Sequence, residues 1–295
     1  MKTILVPTDF SDYALFALKA ASCIARKVNA KIILAHVYNL PSDGIEMYHY
    51  IDQYYKEIKT SATKKLNELA LKKFLKGITV EKLILTDILM WEIVTLDRFK
   101  NVDLIVLGSH GKSGFNRVFI GSNTEKIVRL AGAPVLTIKN EPEDFEVKHM
   151  VFASDFNDES YYAFEKIKSF ADIYDSHIDL LKVITPREFE TTRQSAKLMN
   201  DFVFKFNLKK YSVNIYNDYN IEQGIIDFSD ETNADLVALE THGRTGIAHL
   251  ILGSLTESLV KHESRPVLSI KMVHHSEYGK KLQEANKDYQ NWGAE

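Results

Sequence analysis

The sequence predicts a doubly wound α/β fold present twice in one chain, and three observations carry this. Short continuous apolar runs alternate with helical stretches. The alternation repeats at a constant offset, and the length of 295 residues is more chain than one ordinary core needs. Hydrophobic residues make up 45% and charged residues 26%, which places the chain with globular proteins and excludes collagen, coiled coil and disorder.

In the first copy, residues 4–6, 32–37, 83–85, 104–108 and 135–138 are apolar runs of the kind that strands buried on both faces require. Between them, 11–30, roughly 46–76, 88–100 and 122–132 read as helices. Right-handed crossovers then place helices on both faces of a parallel five-stranded sheet. Ligands of such sheets lie beyond the carboxyl ends of the strands, at the switch in strand order.

The repeat is gapless over long stretches. At an offset of 146, Val6–Val37 matches Phe152–Val183, so that Asp9 meets Asp155 and Phe10 meets Phe156. At an offset of 132, Asp103 meets Asp235, His110 meets His242, Gly121 meets Gly253 and Pro134 meets Pro266. The difference, 146 - 132 = 14, shortens the second copy between Val183 and Asn233. The expected domains are 1–140 and 147–272, joined across the acidic stretch 140–149, which carries Pro142 and lacks an apolar period. The polar remainder, 273–295, falls outside the repeat and is expected to be an appended helix or a loose end.

Lys and Arg number 37 against 40 Asp and Glu, a net charge of -3, so nothing draws the whole chain to nucleic acid or anionic lipid. No run approaches 18 apolar residues and the N-terminus lacks a signal-peptide core, so a cytoplasmic protein without a membrane span is expected. The single cysteine, Cys23, sits among alanines and reads as a buried thiol. His274–His275 lack the companions of a metal site. The tyrosine-rich stretch 47–59 reads as a helix face for packing on a neighbouring domain or partner, and 202–211 as packing ahead of a strand.

The chemistry concentrates after the fourth apolar run. Gly108, Gly111, Gly114 and Gly121 fall within fourteen residues, where missing Cβ atoms let backbone N–H groups approach an anion. Ser122 and Glu125 have capping-box spacing, so a helix should start at Ser122 with its positive end facing the same space. This combination reads as a phosphate cradle, against the alternative of a glycine loop that caps a helix without a ligand. A P-loop is excluded because Gly111-Lys112-Ser113 would need its first glycine at Val106, and the dinucleotide fingerprint G-x-G-x-x-G fails as well.

Gly108-x2-Gly111-x9-Gly121-Ser122, together with Val6-Pro7-Thr8-Asp9-Phe10-Ser11 after the first run and Ala133-Pro134-Val135 before the last, resembles the universal stress protein family, a Rossmann-type fold. The resemblance covers about 1–139 and 148–272. It implies an adenine nucleotide, ATP, ADP or AMP, at the carboxyl edge of the sheet. Pro7, Thr8 and Asp9 would lie near the ribose or a phosphate-bound Mg, Val37 and Leu107 would flank the base, and Gly108, Gly111, Gly121, Ser122, Asn123 and Thr124 would hold phosphates. Asp9 equally reads as a cap on the following helix, His110 as a loop residue or a ligand contact, and Lys112 as a solvated chain or a phosphate partner. The resemblance also implies pairing through last strands, hence an internal pseudo-dimer and a possible homodimer.

The second copy keeps Asp155, Val183, Gly243, Gly253, Ser254 and Thr256, with capping-box spacing from Ser254 to Glu257, but has Glu240 in place of Gly108. Two unit charges about 4 Å apart near a surface repel by up to roughly 4 kcal/mol, enough to abolish a micromolar site. The second copy is therefore expected to be degenerate for ATP, unless Glu240 turns away or holds a divalent cation. The functional expectation is a stress-response protein that binds an adenine nucleotide and acts as a sensor or regulator. The alternatives are a slow ATP-hydrolysing enzyme, for which no paired base and nucleophile presents itself, and a nucleotide-free scaffold.

Overall fold

The structure, a computed structural model, describes residues 1–38, 48–86, 88–109, 121–158, 160–241 and 249–271, and the side chains of all of these except 48–55 and 249–254. The chain divides into two compact units, Met1–Val147 with Thr256–Ser269, and Lys148–Leu255 with Ile270–Glu295.

In the first unit, β1 (Thr3–Pro7), β2 (Lys31–Tyr38), β3 (Val80–Thr86), β4 (Leu104–Gly108) and β5 (Val135–Ile138) pair in the order β3-β2-β1-β4-β5, every pair parallel. Their central residues are buried, as runs of Ile, Leu and Val between two helical layers must be. The switch in strand order lies between β1 and β4. Register places Pro7 beside Ala35, and Ile4 and Leu5 beside Leu104 and Ile105, so the ends of β1, β2 and β4 reach one edge together.

Helix α1 (Asp12–Val28) follows β1, with Ser11 as its N-cap and Asn29 in the left-handed region as its C-cap. Its buried stripe holds Leu18 and Ile24 among the alanines Ala14, Ala17, Ala21 and Ala25, whose small side chains let the helix approach the sheet closely. Cys23 falls at the edge of that stripe and is half-buried, not buried as expected. Helix α2 (Tyr48–Ala70) accounts for most of the long second helical stretch. The expected helix at 88–100 is instead two 3₁₀ turns, Met90–Thr95 and Asp97–Phe99. The β-branched run Ile93-Val94-Thr95 disfavours an α-helix, while Ile93 and Phe99 are buried in the core. Helix α3 (Ser122–Leu130) then leads to β5.

The second unit repeats the order with β6 (His149–Ala153), β7 (His177–Ile184), β8 (Tyr211–Asn217) and β9 (Leu236–Thr241), arranged β8-β7-β6-β9 and all parallel. Helices α4 (Ser160–Tyr174), α5 (Thr192–Phe206) and α6 (Ile221–Glu231) connect them. The 14-residue shortening falls partly on α5, which has 15 residues against 23 in α2. Its core is aromatic where the first is aliphatic: Phe164 and Phe202 have ring centroids 4.7 Å apart, and Phe202 and Phe206 4.9 Å. The stretch 202–211 is thus half helix; of its aromatic residues Phe202 is buried, while Phe204 is exposed at 87% and Tyr211 is exposed as well.

One polar clamp recurs in both units. Asp103 accepts backbone N–H groups of Lys2 and Thr3 at 2.7 and 2.9 Å, and Asp235 accepts those of Lys148 and His149 at 2.7 and 2.9 Å. Each carboxylate fastens the start of its first strand.

Helix α7 (His249–His262) starts five residues before Ser254, so the expected cap there is not a helix start. Its last turns belong to the first unit, as do Val267, Leu268 and Ser269 of β10 (Val267–Lys271), which run antiparallel to β5 opposite Thr137, Leu136 and Val135. The Lys139 ammonium donates to the Lys261 carbonyl at 2.9 Å; burial lowers its pKa to about 8, against the pull of Glu263. The acidic joining stretch is not bare of apolar contacts either. Phe145 and Val147 are buried, and Glu141 and Glu146 pair with Lys19 and Lys27 of α1. Among the described residues no helix is long and apolar enough to cross a membrane.

Glu125 of α3 and Glu257 of α7 hold equivalent places in the two copies and lie close within the first unit. Burial raises the pKa of Glu257, with the Glu125 charge adding to the effect and Arg129 opposing it. A carboxyl group raised in the folded state stabilises most below its ordinary pKa and loses that contribution as pH rises through the folded value. Solvent screens a group this exposed, so Glu257→Gln should raise the Tm at pH 7 by only about 1 °C, the scale of a few tenths of a kcal/mol. Thermal melts should show the gain shrinking toward zero as pH falls below the ordinary carboxyl range.

Candidate functional site

The candidate site is the carboxyl edge of the first sheet. After β1 the chain turns sharply through Thr8, Asp9 and Phe10, and three side chains hold the turn. Thr8 Oγ1 accepts from Phe10 N at 3.1 Å, Asp9 Oδ1 from Ser11 N at 2.9 Å, and Ser11 Oγ from Ala14 N at 3.2 Å. Ser11, not Asp9, is the helix cap. Asp9 makes the bend before it.

Phe10 itself has φ of 63°, in the left-handed region that a bulky side chain avoids. Its ring packs against His36 with centroids 4.3 Å apart, and the Lys65 ammonium lies 5.4 Å from the ring centre. His36 Nδ1 lies 2.7 Å from the Thr8 carbonyl oxygen. A carbonyl only accepts, so Nδ1 carries the proton. The second strand thereby holds the turn after the first.

Gly108 closes the end of β4. A Cβ there would stand 2.6 Å from both the carbonyl carbon and oxygen of Tyr13. Its glycine is required by the close approach of α1, a reason different from the expected access of an anion to its backbone. The neighbouring Leu107 is 4% exposed, and Val37 is half-buried at the end of β2.

The glycine segment leaves the sheet at Ser109 and returns at Gly121, whose N–H donates to the Ser109 carbonyl at 3.0 Å. Ser109 N in turn donates to Ile138 at 3.0 Å, so the main-chain donors at 109 and 121 are used within the protein. His110, Gly111, Lys112 and Gly114 lie outside the described residues, as do His242 and Gly243 in the second copy.

Helix α3 starts at Ser122 as expected, but by a different device. Its N-cap is Gly121, which supplies no side-chain acceptor, and the expected capping box does not form. Ser122 and Asn123 are exposed in its first turn. Thr124 is buried, and its hydroxyl donates to the Gly108 carbonyl at 3.0 Å, tying α3 to β4. Its expected role as a phosphate donor is therefore taken over by a structural bond. By contrast α1, α5 and α6 are capped by Ser11, Thr191 and Asn220.

The second copy repeats the turn. Ser154 Oγ accepts from Phe156 N at 2.9 Å, Asp155 Oδ1 from Asn157 N at 3.3 Å, and Phe156 has φ of 60°. Glu240, however, does not emerge toward a phosphate site. It is 5% exposed, and its Oε1 accepts from Ser160 Oγ at 2.8 Å and Ser154 Oγ at 2.9 Å. Among the described residues no group of three or more His, Cys, Asp or Glu is arranged to hold a metal ion. Of the other second-copy candidates, Val183 is half-buried and Thr256 buried; the side chain of Ser254 and the surroundings of Gly253 are outside the description. Sequence reasoning did not single out His36 or Lys182. The signal available was their shared place one residue before the matched valines Val37 and Val183.

Gly108→Ala should cost about 3 kcal/mol, because the clash is with backbone that cannot move aside as a side chain would. A fall in Tm of roughly 6 °C or more is expected, and an unchanged melt would refute the contact.

The sequence pattern of the Universal stress protein family matches residues 1–139 and 215–271. A universal stress protein of Methanocaldococcus jannaschii is 32% identical over 149 residues, 48% of this chain and 85% of the relative. One from Synechocystis is 23% identical over 300 residues, 92% of this chain and all of the relative. The solved structure of a universal stress protein from Archaeoglobus fulgidus superimposes with a TM-score of 0.70 at 21% identity, over 91% of this chain and 98% of its own, a likeness of fold. With a repeated Asp-Phe turn, a glycine-ended fourth strand and a family pattern matched in both halves, this chain belongs to the universal stress protein family.

Proposed function

We propose that the first unit binds an adenine nucleotide, ATP, ADP or AMP, and that the chain is a cytoplasmic stress-response protein whose occupancy serves a sensing or regulatory role. The observation that carries this reading is the start of α3. Its first-turn amides begin at a bare glycine cap, without the side-chain acceptor that caps α1, α5 and α6. Such amides at the positive end of a helix favour an anion. Family membership makes a nucleotide phosphate the fitting anion.

The residues present suit the rest of the ligand. Leu107 and Val37 offer apolar surface at the ends of β4 and β2 for a flat base. Ser122 and Asn123 add polar groups in the first turn of α3. Asp9 stands on the adjacent turn, where its carboxylate would meet the ribose or a Mg carried by the phosphates. Gly108 keeps the strand end free of a side chain. The turn held by Thr8, Asp9, Ser11 and His36 supplies a preformed wall, so little ordering is left for the moment of binding.

Three measurements test the reading. Mass analysis of the small molecule released on denaturation should find an adenine nucleotide. MgATP at 100 times its Kd should stabilise by about 2.7 kcal/mol, a Tm rise of roughly 5 to 10 °C. Asp9→Asn keeps an acceptor for Ser11 N but removes the charge. It should leave the ligand-free melt within about 2 °C and weaken MgATP about tenfold, or 1.4 kcal/mol. A protein that releases no nucleotide and does not respond to MgATP sinks the proposal.

A further inference from the structure

Four equivalent places around the two turns carry different residues. Gly108, Ala14, Thr8 and His36 of the first unit stand where the second has Glu240, Ser160, Ser154 and Lys182. In the first unit, the Gly108–Tyr13 approach leaves no room for a side chain at the end of β4. The second unit fills that position with a buried carboxylate and provides the donors for it. Ala14 has no hydroxyl; its counterpart Ser160 is fully buried and supplies the shorter of the two bonds to Glu240 Oε1. Glycine with alanine in one unit, and glutamate with serine in the other, are two self-consistent pairs.

The same exchange runs through the neighbouring contacts. Lys182, 7% exposed, donates to the Asp155 carbonyl at 3.0 Å and pairs with Glu190 at 3.2 Å. Glu190 also accepts from the buried Ser195 hydroxyl at 2.9 Å. Beside it, α6 lies on Val183, the counterpart of Val37. A Cβ on Gly224 would stand 2.8 Å from Val183 Cγ1. Among the described residues, the counterparts of Val37 and Gly108 are, in the second unit, engaged by the protein itself.

We infer that the second unit is closed to the nucleotide proposed for the first, and that the Ser160–Glu240 pair is the closure. The internal carboxyl group takes the hydroxyl donors beside the turn and fills the end of β9 with a side chain that the protein itself holds. An incoming phosphate would have to displace a buried side chain and break the hydrogen bonds that hold it. This inference rests on the nucleotide reading of the first unit. It differs from simple repulsion at a cleft surface, because the carboxylate faces inward and is held. The chain then carries one half whose state follows nucleotide concentration and one half whose fold does not.

Hydrogen exchange of the wild-type chain with and without MgATP tests the closure directly. Slower exchange is expected at residues 7–14 and 121–126, with no change at 153–162 and 236–241; protection of both sets overturns the inference. A double variant, Glu240→Gly with Ser160→Ala, rebuilds the first unit's pair. It should bind one more MgATP per chain than the wild type by equilibrium dialysis. A folded double variant with no such gain overturns the Ser160–Glu240 assignment. The gain in the variant, not the starting count, tests the closure, so a wild type that binds no nucleotide refutes the proposed function alone. Should the double variant not fold, Glu240→Gln and Ser160→Ala, singly and together, decide by their melts: non-additive losses support the pair and additive losses overturn it.

Discussion

The structure depends above all on the sharp turn after the first strand of each unit, where a phenylalanine is held in a backbone conformation that costs about 1 to 3 kcal/mol. Phe10 and Phe156 have φ of 63° and 60°. The strain persists because the surroundings over-determine it. A hydroxyl two residues earlier takes the phenylalanine N–H, an aspartate takes the next N–H, and a further side chain caps the helix. The bend places the aspartate at the strand end and starts the helix, and in the first unit that helix comes close enough to the fourth strand for position 108 to need glycine.

Once that geometry is repeated, the two units are free to differ in what fills it. The first packs its core with aliphatic residues and keeps its fourth strand end clear. The second builds around Phe152, Phe164 and Phe202 and fills the strand end with Glu240. The turn, the strand order and the Asp103 and Asp235 clamps are common to both. The family pattern reappears in the second copy only from residue 215 onward, although β6 and β7 pair as β1 and β2 do.

Much of this was legible in the chain. The apolar runs marked the strands because buried parallel strands admit almost no polar residues, and the gapless offsets marked the duplication. The helix start at Ser122 was correct in place but not in cause, since a serine suited to cap by spacing became the first helical residue and Gly121 the cap. Residues 88–100 read as a helix, yet fold as two 3₁₀ turns, because the β-branched run at 93–95 disfavours an α-helix and Ile93 and Phe99 are buried in the core. The acidic joining stretch showed no apolar period, but two residues, Phe145 and Val147, sufficed to seat it. Neither a period nor a motif can announce a contact made by two side chains.

The strand positions, the turn composition and the place where glycines gather were determined by sequence alone, because each reflects a local or periodic requirement that residues meet within a few positions of one another, and the duplication showed as a constant offset. Only the tertiary structure decided that Gly108 is needed for its room, that His36 and Lys182 each hold a turn from a neighbouring strand, and that Glu240 faces inward. These are contacts between residues distant along the chain. A glutamate in place of a glycine signals charge in sequence; whether that charge meets a ligand or a pair of serine hydroxyls depends on what packing brings beside it.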